Sequence, residues 1–186
     1  ITYTAPMICE LIRQHNTVSK DACPCDACKG ADATWISWDG TTAFENGKHY
    51  RLAADVQLTG MITIPKGTTV VLDLNGKTIT AAADSRCFEV SGELSIINST
   101  ADTDADGNYT GLITGGVAAT NDTDNVLRGG NINIEKGTSS SAPGGTLKLY
   151  GGTIANGQAA NAGGNVKVGK FAKFYMYGGS IVDGTA

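Results

Sequence analysis

Apolar and polar residues alternate in a series of short segments from residue 62 to the end of the chain. One set reads apolar-polar-apolar at 62–64, 132–134 and 166–168. A second set places leucine, valine, phenylalanine or methionine at every other position in 70–74, 147–149 and 174–176. Alternation with a period of two is typical of a β-strand with one buried face. The pattern therefore predicts an all-β chain built from short strands.

The same turn follows each segment of the second set. It reads Gly-x-Thr/Ser-Ile at 76–79, 151–154 and 178–181, and the last two copies start 27 residues apart. Strands this short form a stable sheet only if each one pairs with its equivalent in the next unit, about 4.8 Å away. A repeat of this length is typical of a solenoid.

We therefore expect a parallel β-helix over residues 35–186. The rule for parallel crossover connections predicts that it is right-handed. An antiparallel β-sandwich is the competing fold, but it does not account for the recurring turn.

Residues 99–110 interrupt the repeat and predict a loop inserted at a corner. Asp102, Asp104 and Asp106, followed by glycine, match positions 1, 3, 5 and 6 of a calcium-binding loop. The glutamate due at position 12 is absent, because Ile113 stands there. A weak calcium site and a solvated acidic loop are both compatible with this pattern.

Residues 1–34 lack the repeat and form a second, small domain in this interpretation. Residues 7–15 show the spacing of a short amphipathic helix. An open end of a β-helix exposes unpaired strand edges, so we interpret 1–34 as a helical, cysteine-rich N-terminal cap.

Four cysteines lie in this cap: Cys9, Cys23, Cys25 and Cys28. Their close spacing allows a structural zinc site with four thiolate ligands, for which His15 is a substitute ligand. Two disulfides are the alternative, and four cysteines permit three pairings. The spacing alone leaves zinc and disulfides both open.

Cys87 stands apart from the other cysteines and precedes Phe88 at the start of a predicted strand. Neither His15 nor His49 is near it in sequence. This position predicts a buried free thiol rather than a nucleophile.

Composition narrows the possible partners. The formal net charge is −4, and no basic cluster with interleaved aromatic residues occurs, which argues against nucleic acid. No stretch approaches the roughly 18 apolar residues of a membrane span, and the first residues do not resemble a signal peptide. We expect a mature or excised segment.

The strand pattern does not reveal a catalytic set. A glycosidase requires two or three convergent carboxylates, and a polysaccharide lyase requires a base beside calcium-binding carboxylates. Asp73 is the one carboxylate that the pattern places at an outward strand centre, and we expect it to be solvated. Tyr150, Tyr175 and Tyr177 form either a packing ladder, which we favour, or a sugar-stacking platform.

The segments 35–42, 62–67 and 72–79, together with two Tyr-Gly-Gly-Thr/Ser-Ile repeats, resemble the pectate-lyase-like β-helix modules of large surface proteins from gut-type Firmicutes. The resemblance covers about residues 35–186. It implies a bacterial cell-surface location and favours zinc at the cysteine cluster. It does not fix a function, because this architecture is used by lyases, hydrolases, adhesins and inert stalks.

The sequence thus predicts a non-catalytic, extracellular scaffold or adhesin module that binds a glycan or a neighbouring cell surface. The alternative is part of a polysaccharide lyase or other glycan-active enzyme whose catalytic residues lie outside this segment. The sequence stops at residues 184–186, directly after a repeat turn. We therefore expect continuation into further coils or end-to-end self-association.

Overall fold

The computed structural model of the chain describes residues 35–118 and 128–186, and all their regular structure is β-strand. The predicted helical cap lies outside these residues. The strands are β1 (Trp35–Trp38), β2 (Lys48–Leu52), β3 (Val56–Gln57), β4 (Ile62–Ile64), β5 (Thr69–Asp73), β6 (Thr78–Thr80), β7 (Phe88–Val90), β8 (Glu93–Ile97), β9 (Leu112–Thr114), β10 (Ile132–Ile134), β11 (Thr146–Leu149), β12 (Thr153–Ala155), β13 (Val166–Val168), β14 (Lys173–Met176) and β15 (Ser180–Val182).

Three parallel sheets contain these strands. Sheet A has the order β1-β2-β5-β8-β11-β14, sheet B has β15-β12-β9-β6-β3, and sheet C has β13-β10-β7-β4. From β2 onward the chain passes through sheets A, B and C in turn, and this cycle recurs up to β15. Within the described ranges, antiparallel pairing is confined to one bridge between Thr103 and Tyr109 in the inserted loop. The β-sandwich alternative is therefore wrong, and the sheets are compatible with the predicted β-helix.

The register of the sheets aligns the apolar residues in columns. In sheet A, Leu72 pairs with Ile96, Ile96 with Leu149, and Leu149 with Met176. Because side chains alternate between the two faces of a strand, this register keeps every member on the same face. Residues of all three sheets belong to one hydrophobic core. Each fully buried aliphatic or phenylalanine side chain contributes about 1.5–3 kcal/mol relative to an exposed one.

The predicted turn connects sheet A to sheet B. Gly152 and Gly179 have φ angles of +85° and +78° directly before β12 and β15. This left-handed conformation is accessible to glycine without a steric penalty. The recurrence of glycine in the motif thus has a backbone cause.

Aromatic residues fill the interior at the β1 end of sheet A. Trp38 and Tyr50 are each 1% exposed, and Phe44 is 8% exposed. The ring centre of Phe44 lies 4.6 Å from that of Trp38 and 4.7 Å from that of Tyr50. The Trp38 indole donates a hydrogen bond to the Thr42 carbonyl, and the Tyr50 hydroxyl accepts one from the Glu45 amide. Both polar tips are therefore satisfied inside an apolar cluster.

Buried amide side chains stabilise the corner that precedes sheet C. Asn131 and Asn165 directly precede β10 and β13, and the Asn131 Nδ2 donates to the Asn165 Oδ1 at 2.9 Å. The Asn131 Nδ2 also donates to the Ala155 carbonyl at 2.7 Å, while its Oδ1 accepts from the Gly116 amide at 2.8 Å. These contacts satisfy backbone groups that the bend between strands leaves without a ladder partner.

Cys87 occupies the equivalent position before β7. It is fully buried, is not disulfide-bonded, and its sulfur lies 3.7 Å from both the Thr114 carbonyl and the Asn131 Oδ1. Burial raises the pKa of this thiol to about 12. The prediction of a buried free thiol is confirmed. The thiol occupies before β7 the position that the Asn131 and Asn165 amides occupy before β10 and β13.

We predict that Asn131→Ala lowers the free energy of unfolding by about 2–4 kcal/mol, because buried backbone groups lose their partners. Denaturant unfolding measures this change. Gln158→Ala is the control, because Gln158 also carries an amide but is exposed on the surface, and its truncation should change stability by less than about 0.5 kcal/mol. Equal losses in the two variants would contradict the role assigned to the buried amides.

Candidate functional site

The outer face of sheet C carries a row of polar residues in register. Thr63 pairs with Glu89, Glu89 with Asn133, and Asn133 with Lys167, so the row crosses all four strands. Glu135 directly follows β10, and Arg86 lies just before β7. We refer to Arg86, Glu89, Asn133, Glu135 and Lys167 as the sheet C cluster.

One amide nitrogen links the two carboxyl groups of the sheet C cluster. The Asn133 Nδ2 donates to the Glu89 Oε1 at 2.6 Å and to the Glu135 Oε1 at 2.8 Å. The second oxygen of Glu89 pairs with the Arg86 Nη1 at 2.9 Å, and the Arg86 Nη2 donates to the Arg128 carbonyl at 3.1 Å. The cluster thus joins two strands of sheet C to the segments that precede them.

Asn133 is fully buried although it occupies an outward strand position. Its Oδ1 has no hydrogen-bond partner within the part of the chain that the structure describes. Ser95, another outward residue, is only 2% exposed. An outward strand position is therefore not necessarily exposed in this structure.

The two carboxyl groups differ in their affinity for a proton. Burial raises the pKa of Glu89 to about 7, and the hydrogen bond with Glu135 adds to this shift. Burial also acts to raise the pKa of Glu135, but hydrogen bonds from Glu89 and Asn133 outweigh it and the net shift is downward. Burial lowers the pKa of Lys167 against the opposing effect of both carboxylates. Between the two pKa values, Glu89 therefore holds a proton that it shares with ionised Glu135.

A protonated and an ionised carboxyl group side by side are the elements of acid-base chemistry. In a glycosidase, however, the two groups stand at least about 5 Å apart, with the glycosidic bond between them. Glu89 and Glu135 bind the same nitrogen atom and each other, so their geometry suits an internal shared proton.

Sequence reasoning missed this pair for two different reasons. Glu89 lies between Phe88 and Val90 at the centre of a strand, so the alternation predicts that its side chain points outward. Glu135 lies just past the end of β10, where the alternation no longer assigns a face. The contact between them depends on pairing β7 with β10 across 44 residues, and no sequence pattern specifies that step.

Asp73 is buried rather than solvated, and the expectation made from the strand pattern is wrong. It is 0% exposed, and its Oδ2 lies 2.7 Å from the Arg51 Nε. Its Oδ1 accepts hydrogen bonds from the backbone amides of Asn75 and Ser99 at 2.9 and 3.0 Å. The Arg51 guanidinium also lies 4.5 Å from the centre of the Trp35 ring. Asp73 therefore holds a turn and an inserted loop against sheet A.

The inserted loop lies at the corner between β8 and β9, as predicted. The Asp102 Oδ1 accepts from the Gly152 amide at 2.9 Å and from the Asn98 side chain at 3.1 Å. The Asp104 Oδ1 accepts from the backbone amides of Asp106 and Asn108, both at 2.9 Å. Two of the three carboxylates thus bind donors of the protein itself.

Metal binding stays a prediction. In residues 35–118 and 128–186, no three His, Cys, Asp or Glu side chains are grouped as metal ligands. Calcium at Asp102, Asp104 and Asp106 is therefore supported by the sequence pattern alone. Cys9, Cys23, Cys25 and Cys28 lie outside the described residues, so zinc and disulfides both remain open there.

The three tyrosines in and directly after β11 and β14 have two different environments. The rings of Tyr150 and Tyr177 stack at 4.7 Å with an interplanar angle of 15°, and Tyr150 is 3% exposed. This confirms the packing ladder for that pair. Tyr175, whose ring lies nearly parallel to that of Tyr177, is 40% exposed and presents an aromatic surface to solvent.

No protein-family model, curated protein or solved structure matches this chain. The likeness to pectate-lyase-like modules therefore stays a prediction from the motifs. As for a membrane span, the described residues contain no helix with the length and apolar character needed to cross a bilayer.

We predict that replacing Glu89 by Gln changes how stability depends on pH. The folded pKa of Glu89 is raised, so its contribution is fully present below about pH 4.5 and is lost as the pH rises through about 7. A Gln amide donates to Glu135 at every pH. Between about pH 5 and 8, the stability of Glu89→Gln should therefore rise relative to wild type by about 1 kcal/mol, a value reduced for solvent screening.

Denaturant unfolding at several pH values in this range measures the effect. The matched control is Glu93→Gln, which removes the 2.9 Å ion pair with Lys148 on sheet A. Its stability difference from wild type should stay constant over the same range. A constant difference for Glu89→Gln as well would contradict the shared proton.

Proposed function

We propose that the chain is a module of a right-handed parallel β-helix that serves as a non-catalytic scaffold or adhesin outside a bacterial cell. The observation that carries this proposal is the uninterrupted in-register stacking of parallel strands from β1 to β15 around one core. A stack of this kind makes a stiff body whose length grows with each coil, which is the mechanical property that a spacer or display scaffold requires.

The cycle of sheets supports a solenoidal winding of the chain. Each passage through sheets A, B and C returns the chain to a position one strand further along sheet A. Such a path is one coil of a solenoid, and parallel crossovers are right-handed in almost all proteins. The lengths of the connecting segments differ between coils, because insertions such as 98–111 lie at corners and leave the strand register unchanged.

The state of the carboxylates supports a structural rather than a catalytic role. Asp73 is neutralised by Arg51, Asp102 holds the Gly152 amide, and Asp104 binds its own loop. Side chains that complete the hydrogen bonding of the fold are not available to a substrate without loss of those bonds. These carboxylates therefore stabilise the fold, as the aliphatic columns of the core do, and a rigid scaffold depends on both.

The cell-surface location and the ligand rest on the sequence. The Tyr-Gly-Gly-Thr/Ser-Ile repeats and the Trp-x-x-Trp segment resemble those of bacterial surface modules. An adhesin of this class binds a glycan or a neighbouring cell surface. Tyr175 supports glycan binding, because an exposed aromatic ring offers a flat apolar face to the C–H groups of a sugar.

The second candidate is a glycan-active enzyme, and the Glu89–Glu135 pair is the observation that favours it. A proton donor and a proton acceptor next to each other are available near neutral pH. The scaffold proposal predicts that acidic polysaccharides incubated with the chain yield neither unsaturated products nor new reducing ends. Turnover that Glu89→Gln or Glu135→Gln abolishes would overturn the scaffold proposal in favour of the enzyme.

We predict that glycans retained on an array by the wild-type chain bind at least about 10-fold more weakly to the Tyr175→Ala variant. Loss of one aromatic stacking partner costs about 0.5–1.5 kcal/mol of binding free energy, and loss of its apolar contact area adds to that cost. Tyr109→Ala is the matched control. Tyr109 is 42% exposed but lies in the inserted loop. Titration of the best array ligand measures both affinities, and equal weakening in the two variants would contradict a site at Tyr175.

A further inference from the structure

The corners between sheets C and A differ in length from coil to coil. Residues 65–68 connect β4 to β5, whereas Ser91 and Gly92 alone connect β7 to β8. A much longer corner, 135–145, connects β10 to β11. Because β5, β8 and β11 are neighbours in sheet A, the two-residue corner lies between two longer ones. The surface is therefore indented at Ser91 and Gly92.

This indentation is a cleft of about 410 Å³. We refer to it as the corner cleft, and its lining consists of 66–69, 91–93, 141–144 and Thr146. It lies in the middle of the stack, with β2 and β14 beyond its two sides in sheet A. Its volume falls in the range of about 300–1,000 Å³ that is usual for small-molecule sites.

Backbone contacts fix the shape of the corner cleft. A Cβ atom on Gly92 would lie 2.3 Å from the carbonyl oxygens of both Pro65 and Thr68, so the floor of the cleft admits only glycine there. The Gly145 amide donates to the Glu135 carbonyl at 3.0 Å, which closes the longer corner on itself. The cleft is therefore formed before a ligand binds, and binding does not have to order its walls.

Hydroxyl groups dominate the polar lining of the corner cleft. Thr69 and Thr146 flank Glu93 in register, at the first positions of three neighbouring strands of sheet A. Four hydroxyl groups of the lining make no hydrogen bond to any residue that the structure describes, namely those of Thr68, Thr69, Ser91 and Thr146. Each of them can donate one hydrogen bond to a ligand and accept others.

The charged side chains of the lining have opposite signs. Lys66 is exposed, and the Glu93 Oε1 accepts a hydrogen bond from the Lys148 Nζ at 2.9 Å. The other Glu93 oxygen has no partner within the described ranges. An anionic ligand would approach the Glu93 carboxylate, and a cationic ligand would approach the Lys66 ammonium group. The lining therefore favours a neutral ligand.

We propose that the corner cleft is a binding site for a neutral saccharide. The hydroxyl groups of a sugar ring match the hydroxyl lining, because both sides donate and accept hydrogen bonds. The free oxygen of Glu93 accepts a further bond from a sugar hydroxyl. Pro143, which is exposed in the lining, offers apolar surface to the C–H groups of the ring.

This inference rests on the glycan-binding role proposed above and extends it from Tyr175 to a second subsite. Thr146 pairs with Lys173, and Tyr175 lies two residues further along β14 on the same face of sheet A. The strand spacing and the rise per residue place Tyr175 about 8 Å from Thr146. An oligosaccharide can therefore occupy the corner cleft and stack on the Tyr175 ring.

Calorimetric titration of the 186-residue chain tests the proposal. The probes are trisaccharides of neutral hexoses and of N-acetylhexosamines, with trisaccharides that contain uronic acid as the comparison. At least one neutral probe should bind with a dissociation constant of about 1 mM or lower. In nuclear magnetic resonance spectra, the same probe should shift the amide signals of 66–69, 91–93 and 141–146.

Three variants locate the binding site. Thr69→Val and Thr146→Val each remove one hydroxyl without changing the shape of the side chain, and each should weaken binding about 3- to 10-fold. Ser91→Tyr fills the floor of the cleft and should abolish binding. Thr80→Val is the matched control, because Thr80 is an outward threonine of sheet B and does not line the cleft. Its affinity should equal that of wild type, and the circular dichroism of all variants should match.

Three outcomes overturn the inference. They are the absence of binding by any neutral probe at about 10 mM, binding of the acidic probes alone, and affinity for a neutral probe that survives Thr69→Val, Thr146→Val and Ser91→Tyr together. In the third case the glycan-binding role stands and the corner cleft fails. Polysaccharide turnover that Glu89→Gln abolishes would overturn the scaffold proposal and leave the affinity of the cleft unchanged.

Discussion

Parallel pairing between successive passages of the chain is the constraint on which the rest of this structure depends. A three-residue strand such as β4 or β12 has too little surface to be stable alone. It persists because its neighbours in the sheet are equivalent segments with apolar residues at the same positions. A slip of one residue would turn every aliphatic side chain of a strand to the other face. The apolar side chains are therefore buried only if the strands keep this register.

The corners allow the strands to stay in register while the connections vary in length. Leu147 lies 27 residues before its partner Phe174 but 53 residues after its partner Leu94. Loop-closure entropy grows slowly with loop length, so a long insertion at a corner costs little as long as its ends are anchored. Asn131 and Asn165 anchor one corner from inside, and Asp73 and Asp102 hold the inserted loop from outside. Among the residues that the structure describes, four buried polar side chains serve this purpose: Asp73, Asn98, Asn131 and Asn165.

Much of this architecture can be predicted from the sequence, because the alternation at 62–64, 132–134 and 166–168 indicates which face of each strand is buried. The recurring glycine turn marks where the chain passes from sheet A to sheet B. The polar contacts are less readable. Asp73 and Glu135 receive their partners from segments distant in sequence, and the pairing that brings them together depends on the lengths of all the corners between. The alternation does not predict strands β1 to β3, because aromatic, charged and polar residues interrupt the aliphatic pattern there.

The same register brings Glu89 in β7 close to Glu135, which directly follows β10 in sheet C. The surface chemistry of this chain is thus a consequence of its register. Nuclear Overhauser measurements on the 186-residue chain test that register most directly. Antiparallel strands bring the Cα atoms of facing residues as close as about 4.5 Å, which gives strong contacts between their α-protons, whereas parallel strands do not. The account predicts contacts between amide protons and the α-protons of in-register neighbours for Leu147 and Phe174, without strong contacts between their α-protons. Strong α-proton contacts between β11 and β14 would contradict it.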